Sequence, residues 1–167
     1  MTARTLDTAR ELAASVTDPE MPMLTLADLG VLRDVRRESD GTVVVAITPT
    51  YSGCPAMAEI RADIAQTLRR NGYPQVRVDT VLAPAWTTDW ITQAGRRKLR
   101  ENGYSPPGPA SPQGPVALTL GPPPRGVSCP RCDSTDTQRI SEFGATACKA
   151  MYRCRACQEP FDHLKEI

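Results

Sequence analysis

The sequence is poor in histidine, since His163 is the single one among 167 residues. A Ser-His-Asp or Cys-His mechanism would have to use that residue, close to the C-terminal end of the sequence. The chain also has no Gly-x-Gly-x-x-Gly or Walker-type phosphate loop, and no Glu-x-x-His pair of the kind that holds a di-iron centre. These absences favour an accessory protein over an enzyme, with any oxidative chemistry belonging to a partner.

An excess of positive charge is absent as well. The chain has 20 Lys and Arg against 19 Asp and Glu, and aromatic residues make up 5% of it. Proteins bind phosphate backbones through clustered positive charge, and they stack bases on aromatic side chains. The composition therefore predicts no nucleic-acid partner.

Long apolar runs are missing too. No stretch approaches the ~20 apolar residues that a membrane-spanning helix needs, and residues 1–10 lack the apolar core of a secretory signal. We therefore expect no membrane association and a cytoplasmic location. Thiols stay reduced in the cytoplasm, so the five cysteines between residues 129 and 157 indicate ligands before disulfides.

Four of these cysteines form two Cys-x-x-Cys pairs, Cys129 with Cys132 and Cys154 with Cys157. Each pair can direct two sulfurs at one metal, and the 21 residues between the pairs allow a β-hairpin that brings them together, as in a zinc ribbon. The spacing predicts one structural zinc. Iron would bind the same four sulfurs in a rubredoxin-like site, and reduced pairs or disulfides are the alternative without a metal.

Two residues near these pairs do not fit the simple Cys-x-x-Cys pattern. Cys148 lies six residues before Cys154 and could replace a ligand or stand beside the metal as a transfer thiol, although the four paired cysteines form the better set. Asp133 follows Cys132 where such turns commonly have glycine, so we expect it to adopt a left-handed backbone conformation.

A proline-rich segment divides the chain. Eight of the 16 prolines lie between residues 105 and 126, where neither a helix nor a central strand can continue. Proline favours extended conformations that space two units semi-rigidly. We predict a first domain at residues 1–104, a linker at 105–126 with a short edge strand at Val116–Leu120, and a zinc ribbon at 127–167.

The first domain has the pattern of a small α/β sandwich with the order α-β-β-α-β-α. Asp40-Gly41 supplies the positive φ of a hairpin turn between its first two strands, and Gly72 follows the end of a helix opened by Pro55. The predicted elements are a helix at Thr5–Val16, a helical turn at Leu26–Leu29, strands at Val31–Arg37 and Thr42–Thr48, a helix at Pro55–Asn71, a strand at Val76–Leu82 and a helix at Thr87–Glu101.

Cys54 is the candidate reactive residue of this domain. It follows a predicted strand through the polar loop Thr50–Gly53 and precedes a helix that Pro55 opens. Free backbone N–H groups and the helix dipole would lower the pKa of a thiol there and make it a better nucleophile or metal ligand. The alternative is a buried cysteine that packs as a small apolar residue.

Both tryptophans of the chain lie around the start of the last predicted helix. Trp86 and Trp90 are four residues apart and can share a face. They can fill the core, or together with Asp89 they can form a partner surface beside Cys54. Three carboxylates of the N-terminal loop could add ligands to that edge of the sheet, namely Asp18, Glu20 and Asp28.

Several motifs resemble the D-subunit family of the bacterial phenylacetyl-CoA epoxidase systems, over nearly the whole chain. They are Asp18-Pro19-Glu20, Asp28-Leu29-Gly30, Thr50-Tyr51-Ser52-Gly53-Cys54-Pro55, Pro84–Trp90, Phe143–Lys149 and Glu159-Pro160-Phe161. The first domain is similar to the SufT-like iron–sulfur assembly proteins, which include the eukaryotic cytosolic iron–sulfur targeting component. In that family the cysteine matching Cys54 is the one implicated in reactivity or cluster handling.

The resemblance implies an accessory role in phenylacetate catabolism, in which other subunits hold the di-iron oxygenase and the flavin and iron–sulfur reductase. It implies a maturation factor that binds iron or a cluster transiently at Cys54 and interacts with the oxygenase and reductase subunits. A purely structural subunit of the oxygenase and a thiol enzyme using Cys54 are the competing hypotheses. Self-association into a homodimer is a further hypothesis.

Overall fold

The computed structural model describes residues 5–51, 53–110 and 126–167. It divides into two compact units, the first formed by Met1–Trp86 and Trp90–Gly95 and the second by Thr87–Asp89 and Arg96–Ile167. In the described part of the chain, no helix combines the length and the hydropathy that crossing a bilayer requires.

The first unit is built on a three-stranded sheet with the order β1-β2-β3. Strand β1 is antiparallel to β2, and β3 is parallel to it. The elements are α1 at Leu6–Ser15, α2 at Leu26–Leu29, β1 at Leu32–Arg37, β2 at Val43–Ile47, α3 at Met57–Arg70 and β3 at Val76–Thr80. Helices α1 and α3 contact each other and the sheet. The predicted α/β class is confirmed.

Local chemistry fixes the short helix α2. Thr25 and Asp28 form a capping box at its start, in which each side chain accepts the other residue's backbone N–H. Gly30 ends the helix with φ 69°, and a Cβ added there would lie 2.6 Å from the carbonyl oxygen of Trp90. Glycine is therefore required at this position by both its backbone angle and the close approach of Trp90.

Strand β2 is buried along its whole length, and its two faces are covered differently. Val35, Val45 and Val78 lie side by side across the three strands and are all buried. They form an apolar face of the sheet. The helices bury alanines and larger aliphatic side chains, which are Ala9, Ala13, Ile60, Ile64 and Leu68.

The opposite face of the sheet is covered by charged side chains. Arg36 and Arg77 flank Val44 in the strand register. Arg36 pairs with Asp79 at 3.5 Å, and Arg77 pairs with Glu38 at 2.6 Å and with Asp79 at 3.1 Å. Val44 is fully buried, and the aliphatic stems of the two arginines can shield it.

We expect Arg77→Ala to lower the urea midpoint of the first unit measurably, because it removes two ion pairs and the stem beside Val44. Arg77→Met keeps most of the stem and should lower the midpoint less. Arg61→Ala, an exposed arginine of α3, is the control and should leave the midpoint nearly unchanged. Equal midpoints for Arg77→Ala and Arg61→Ala would show that the charged layer does not stabilise the sheet.

The second unit contains a four-stranded sheet with the order β4-β7-β6-β5. Strand β4 is parallel to β7, and the other neighbours are antiparallel. Its elements are α4 at Gln93–Glu101, which belongs to this unit from Arg96 onward, β4 at Tyr104–Ser105, β5 at Thr137–Ser141, β6 at Lys149–Cys154 and β7 at Pro160–Leu164.

The apolar cluster beside the cysteine pairs is small. It consists of Cys129, Cys154 and Phe161, with Val127 and Tyr152 packed against it. The rings of Tyr152 and Phe161 are stacked with their centroids 5.9 Å apart. Two of the three buried members are cysteines, so this end of the sheet depends on its sulfurs for cohesion.

Two helices begin later than the sequence predicted. Helix α3 begins at Met57 instead of Pro55, because the preceding residues form a turn in which the Met57 N–H reaches the carbonyl of Cys54 at 3.3 Å. Helix α4 begins at Gln93 instead of Thr87, because Thr88–Trp90 forms a 3-10 turn. Its first turn is capped by the Thr92 hydroxyl, which accepts the Gly95 N–H at 3.0 Å.

Most of the predicted proline linker, together with the predicted strand Val116–Leu120, falls in residues 111–125, outside the described residues. Its first residue, Ser105, is part of β4 and lies opposite His163 of β7. The boundary between the two compact units falls between Trp86 and Arg96, earlier in the chain than the predicted boundary after residue 104.

Candidate functional site

The four paired cysteines form one cluster in the second unit. Their sulfur atoms all lie within 4.8 Å of one another. Cys129 Sγ is 3.7 Å from Cys157 Sγ, and Cys132 Sγ is 3.6 Å from Cys154 Sγ. In a tetrahedral site with Zn–S distances of roughly 2.3 Å, the sulfurs lie roughly 3.8 Å apart. The donor set therefore fits a single tetrahedral metal.

Two similar turns create this cluster. In the first turn, the Asp133 N–H donates to Cys129 O at 3.0 Å, and Asp133 has φ 60°. The second turn places Gln158 at φ 65°, and the Cys154 N–H donates to Glu159 O at 2.9 Å. The left-handed conformation expected at Asp133 is present, whereas the one at Gln158 was not anticipated.

The four cysteines differ in their exposure to solvent and in the hydrogen bonds that their sulfurs accept. Cys129 and Cys154 are fully buried, whereas Cys132 and Cys157 are exposed. The backbone N–H of Cys157 lies 3.4 Å from Cys154 Sγ and, together with the neighbouring Cys132 and Cys157 thiols, lowers the pKa of the Cys154 thiol. A metal binds the deprotonated forms, so this N–H favours the ligand state of Cys154.

Cys148 is not part of the cluster. It directly precedes β6, and Cys154 ends that strand, so six residue steps of roughly 3.3 Å separate the two residues. The Cys148 side chain is buried, with its Sγ 3.1 Å from the Thr146 hydroxyl. The suggestion that Cys148 could replace a ligand or stand beside the metal is wrong, because the extended strand separates them by about 20 Å.

Cys54 lies in the loop between β2 and α3 and is half-buried. Its backbone N–H donates to Tyr51 O at 3.3 Å, within the turn that precedes the helix. Burial raises the pKa of the Cys54 thiol, and the Glu20 and Asp18 carboxylates add to the increase, against the stabilising N–H of Ala56. The predicted lowering by the helix terminus is therefore wrong, since α3 starts three residues later and burial dominates.

A direct consequence is that Cys54 should alkylate slowly at neutral pH. We expect the pH midpoint of its reaction with iodoacetamide, followed by peptide mass mapping, to lie above that of an unperturbed cysteine. Glu20→Gln should lower this midpoint by removing a negative charge near the thiol. A midpoint below that of free cysteine would contradict the described environment of Cys54.

The carboxylates that the sequence placed near Cys54 have different structural roles. Asp18 is buried, and its Oδ1 accepts the backbone N–H groups of Glu20 at 2.9 Å and Met21 at 2.8 Å. It thereby fixes the loop that presents Glu20. Asp28 was a candidate ligand, but its Oδ2 accepts the Thr25 N–H and hydroxyl in the capping box, both at 2.9 Å. Asp28 therefore has a structural role.

The tryptophans do not form the exposed pair that a partner surface would need. Trp86 is buried, and its indole N–H donates to Leu29 O at 2.8 Å. Trp90 is half-buried, with the Arg33 guanidinium 3.8 Å from its ring centroid. In the second unit Asp89 is exposed and accepts the Ala110 N–H at 3.0 Å. Trp86 is therefore a core residue and is not available to a partner surface.

One residue of this region was missed by the sequence analysis. The Thr48 hydroxyl, at the end of β2, is fully buried and has no hydrogen-bond partner among the described residues. A buried hydroxyl without a partner is costly. A threonine that follows an all-apolar strand was the available signal.

Comparison with protein families defines the class of the chain. Residues 7–83 match the family of iron–sulfur cluster assembly proteins, and residues 113–165 match the PaaD zinc beta ribbon domain. A crystal structure of DUF59, a domain of unknown function from Bacillus anthracis, is similar to 56% of this chain and 90% of its own, with a TM-score of 0.51 and 25% identity. The chain thus joins an iron–sulfur-assembly domain to a zinc ribbon.

Individual relatives define the family. The chain is 48% identical over 156 residues to an Escherichia coli K12 protein provisionally named as the D-subunit of 1,2-phenylacetyl-CoA epoxidase, covering 93% of this chain and 90% of the relative. It is 31% identical over 86 residues to the Fe-S protein maturation auxiliary factor of Porphyromonas gingivalis W83, covering 51% of this chain and 81% of that protein. The chain belongs to the phenylacetyl-CoA epoxidase D-subunit family.

Proposed function

We propose that this chain is a maturation factor that loads iron or an iron–sulfur cluster into the oxygenase or reductase of a phenylacetyl-CoA epoxidase system. The observation that carries the proposal is the half-buried Cys54 thiol, whose pKa is raised by burial and by the charges of Glu20 and Asp18, in a domain of the iron–sulfur assembly family. The kinship with an epoxidase subunit supports an accessory role beside that enzyme.

The electrostatics of Cys54 suit a cation better than a nucleophilic attack. The carboxylates that raise the pKa of Cys54 disfavour a free thiolate. The same negative charges attract a divalent cation, and binding of the cation displaces the thiol proton. Such a site holds little reactive thiolate when empty and becomes a soft ligand when iron arrives, which argues against the thiol-enzyme hypothesis.

For the cysteine cluster we propose a structural zinc. The cluster offers four thiolates, which fill a tetrahedral coordination shell and leave no open position. Zinc would supply cohesion to the second unit and no redox chemistry. The ribbon would then act as a docking module for the partner subunits. Rubredoxin-like iron would be distinguished by its visible absorption in the purified protein.

The decisive experiment measures metal loading in cells that produce the oxygenase, the reductase and one form of this chain. The three forms compared are the wild type, Cys54→Ser and Cys148→Ser. We expect Cys54→Ser to reduce the iron content of the purified oxygenase, or the cluster absorption of the reductase, several-fold. Cys148→Ser is the matched control, because it removes a buried thiol outside both sites and should leave loading intact. Full loading of both partners with Cys54→Ser would overturn the proposal.

A second candidate function is that of a stoichiometric structural subunit of the oxygenase. It is favoured because the Escherichia coli relative is named as a subunit. This function predicts that the chain co-purifies with the oxygenase at a fixed ratio and that Cys54→Ser changes neither the ratio nor the metal content. A maturation factor would instead associate transiently and be absent from the mature oxygenase.

A further inference from the structure

The second unit contains a cavity of about 550 Å³ that neither the cysteine cluster nor Cys54 explains. Helix α4 forms one wall with Arg96, Arg97 and Arg100. The rest of the lining comes from residues 105–108 and 126–128 and from His163 and Glu166. A cavity of this size is within the range of small-molecule sites.

The charge of this cavity is strongly unbalanced. Three guanidinium groups line it, and Glu166 is its one carboxylate among the described lining residues. Glu166 is already engaged, since its Oε1 accepts the Gly108 N–H at 2.8 Å and lies 3.4 Å from His163 Nε2. The lining residues therefore carry two more positive than negative charges.

Arg96 is held in place without being neutralised. Its Nη1 donates to Pro107 O at 2.5 Å, and its Nη2 donates to Thr88 O at 2.8 Å. Both acceptors are uncharged carbonyls, so neither of these hydrogen bonds supplies a counter-charge to the half-buried guanidinium. A cation that is fixed by neutral partners is preorganised for an anion.

The other two arginines have weak or exposed counter-charges. Arg97 lies 3.8 Å from Glu101, beyond hydrogen-bond distance, and both side chains are more than half exposed. Arg100 pairs with Asp133, whose side chain is 74% exposed. Exposed pairs of this kind contribute little and can be exchanged for a better anion.

We propose that this arginine cavity binds an anion that carries a diphosphate group. Arg96 and Arg100 are four residues apart on one face of α4, or about 6 Å along the helix axis. Two arginine side chains that start from one helix face at that spacing can each direct paired N–H groups at one of two linked phosphates. The cavity is also much larger than one phosphate. This inference is independent of the proposed maturation role.

The single histidine of the chain makes the site directly observable. His163 lines the cavity, so the proton NMR signals of its ring report on occupancy without assignment of other residues. Burial lowers the pKa of His163, so the ring is neutral at pH 7.5 and its shifts report binding instead of titration. The full-length, metal-loaded protein is titrated with sodium pyrophosphate at constant ionic strength, and with sodium sulfate in parallel.

We expect saturable shifts with pyrophosphate, weaker ones with sulfate, and a loss of affinity of about tenfold or more in Arg97→Gln/Arg100→Gln. Asp133→Asn is the matched control, because it breaks the same ion pair as Arg100→Gln and keeps every cavity arginine. It should bind as well as wild type or more tightly. Backbone amide spectra verify that both variants are folded.

Parallel titrations with adenosine diphosphate and coenzyme A identify the source of the group. Tighter binding of either compound than of pyrophosphate indicates a nucleotide-bearing ligand, and equal binding indicates free diphosphate; each result supports the site. The proposal is overturned if pyrophosphate produces no saturable shift, if sulfate matches it, or if the double variant binds with unchanged affinity.

Discussion

Cys154→Ser is expected to abolish metal binding and to unfold the cysteine end of the second unit. Cys154 is fully buried, and it belongs to both the sulfur cluster and the small apolar cluster beside it. Apparent binding free energies of structural zinc in small domains are about 10–16 kcal/mol. That range is comparable to the whole stability of a typical domain, which is about 5–15 kcal/mol.

The measurement combines elemental analysis with hydrogen exchange of the full chain. The wild-type protein should contain one metal ion per chain, and Cys154→Ser or strong chelation should remove it. Amides of residues 127–163 should then lose protection, while amides in β2 and α3 of the first unit keep theirs. Cys148→Ser, which removes another buried thiol of the same unit, should change neither result.

Retention of one metal ion by Cys154→Ser, with normal protection around the cluster, would show that these four sulfurs are not the ligand set. Loss of protection throughout both units would show instead that the first unit cannot keep its structure without the ribbon. Lower pH should weaken metal binding in the wild-type protein, because protons compete with the metal for the thiolates.

Gly30→Ala is expected to be the most damaging small substitution in the first unit. The residue has φ 69°, and a Cβ would lie 2.6 Å from the Trp90 carbonyl oxygen and 2.7 Å from Trp90 Cβ. Left-handed backbone costs a non-glycine residue about 1–2 kcal/mol, and overpacking adds about 1–3 kcal/mol. The expected destabilisation is therefore about 2–5 kcal/mol.

Gly41→Ala separates these two causes. Gly41 has φ 89° and nothing within 4 Å of the added Cβ, so only the backbone cost applies. We expect it to destabilise the first unit by about 1–2 kcal/mol. Both tryptophans of the chain belong to the first unit, so denaturant unfolding followed by their fluorescence reports on that unit alone. Equal midpoints for the two variants would show that Trp90 moves aside at no cost.

The sequence predicted well where the governing interactions are local. The order of helices and strands follows from side-chain periodicity and from turn residues such as Asp40-Gly41. The cysteine cluster follows from spacing, because two sulfurs three residues apart must lie close together on a turn. Asp133 illustrates the same principle, since its left-handed conformation is required by the turn that contains Cys132.

The sequence predicted poorly where the environment of a side chain is assembled from distant segments. The expected activation of Cys54 assumed that the helix begins at Pro55, but burial and the carboxylates of a loop more than 30 residues earlier raise its pKa instead. Trp86 is held in the core by a hydrogen bond to Leu29, 57 residues away. Asp28 forms a capping box with Thr25, so its carboxylate is engaged within the helix start instead of serving as a metal ligand.

Composition, periodicity and cysteine spacing were enough to predict an α/β domain, a proline-rich segment and a ribbon with four cysteines suited to one metal. Only the folded chain raises the pKa of the Cys54 thiol through burial and the charges of Glu20 and Asp18. Folding also leaves Cys148 outside the cysteine cluster and brings three arginines of α4 to the cavity that His163 lines. The difference lies in how far apart along the chain the interacting residues are. Spacing along the chain fixes contacts within a turn, whereas burial and electric fields depend on segments that only folding brings together.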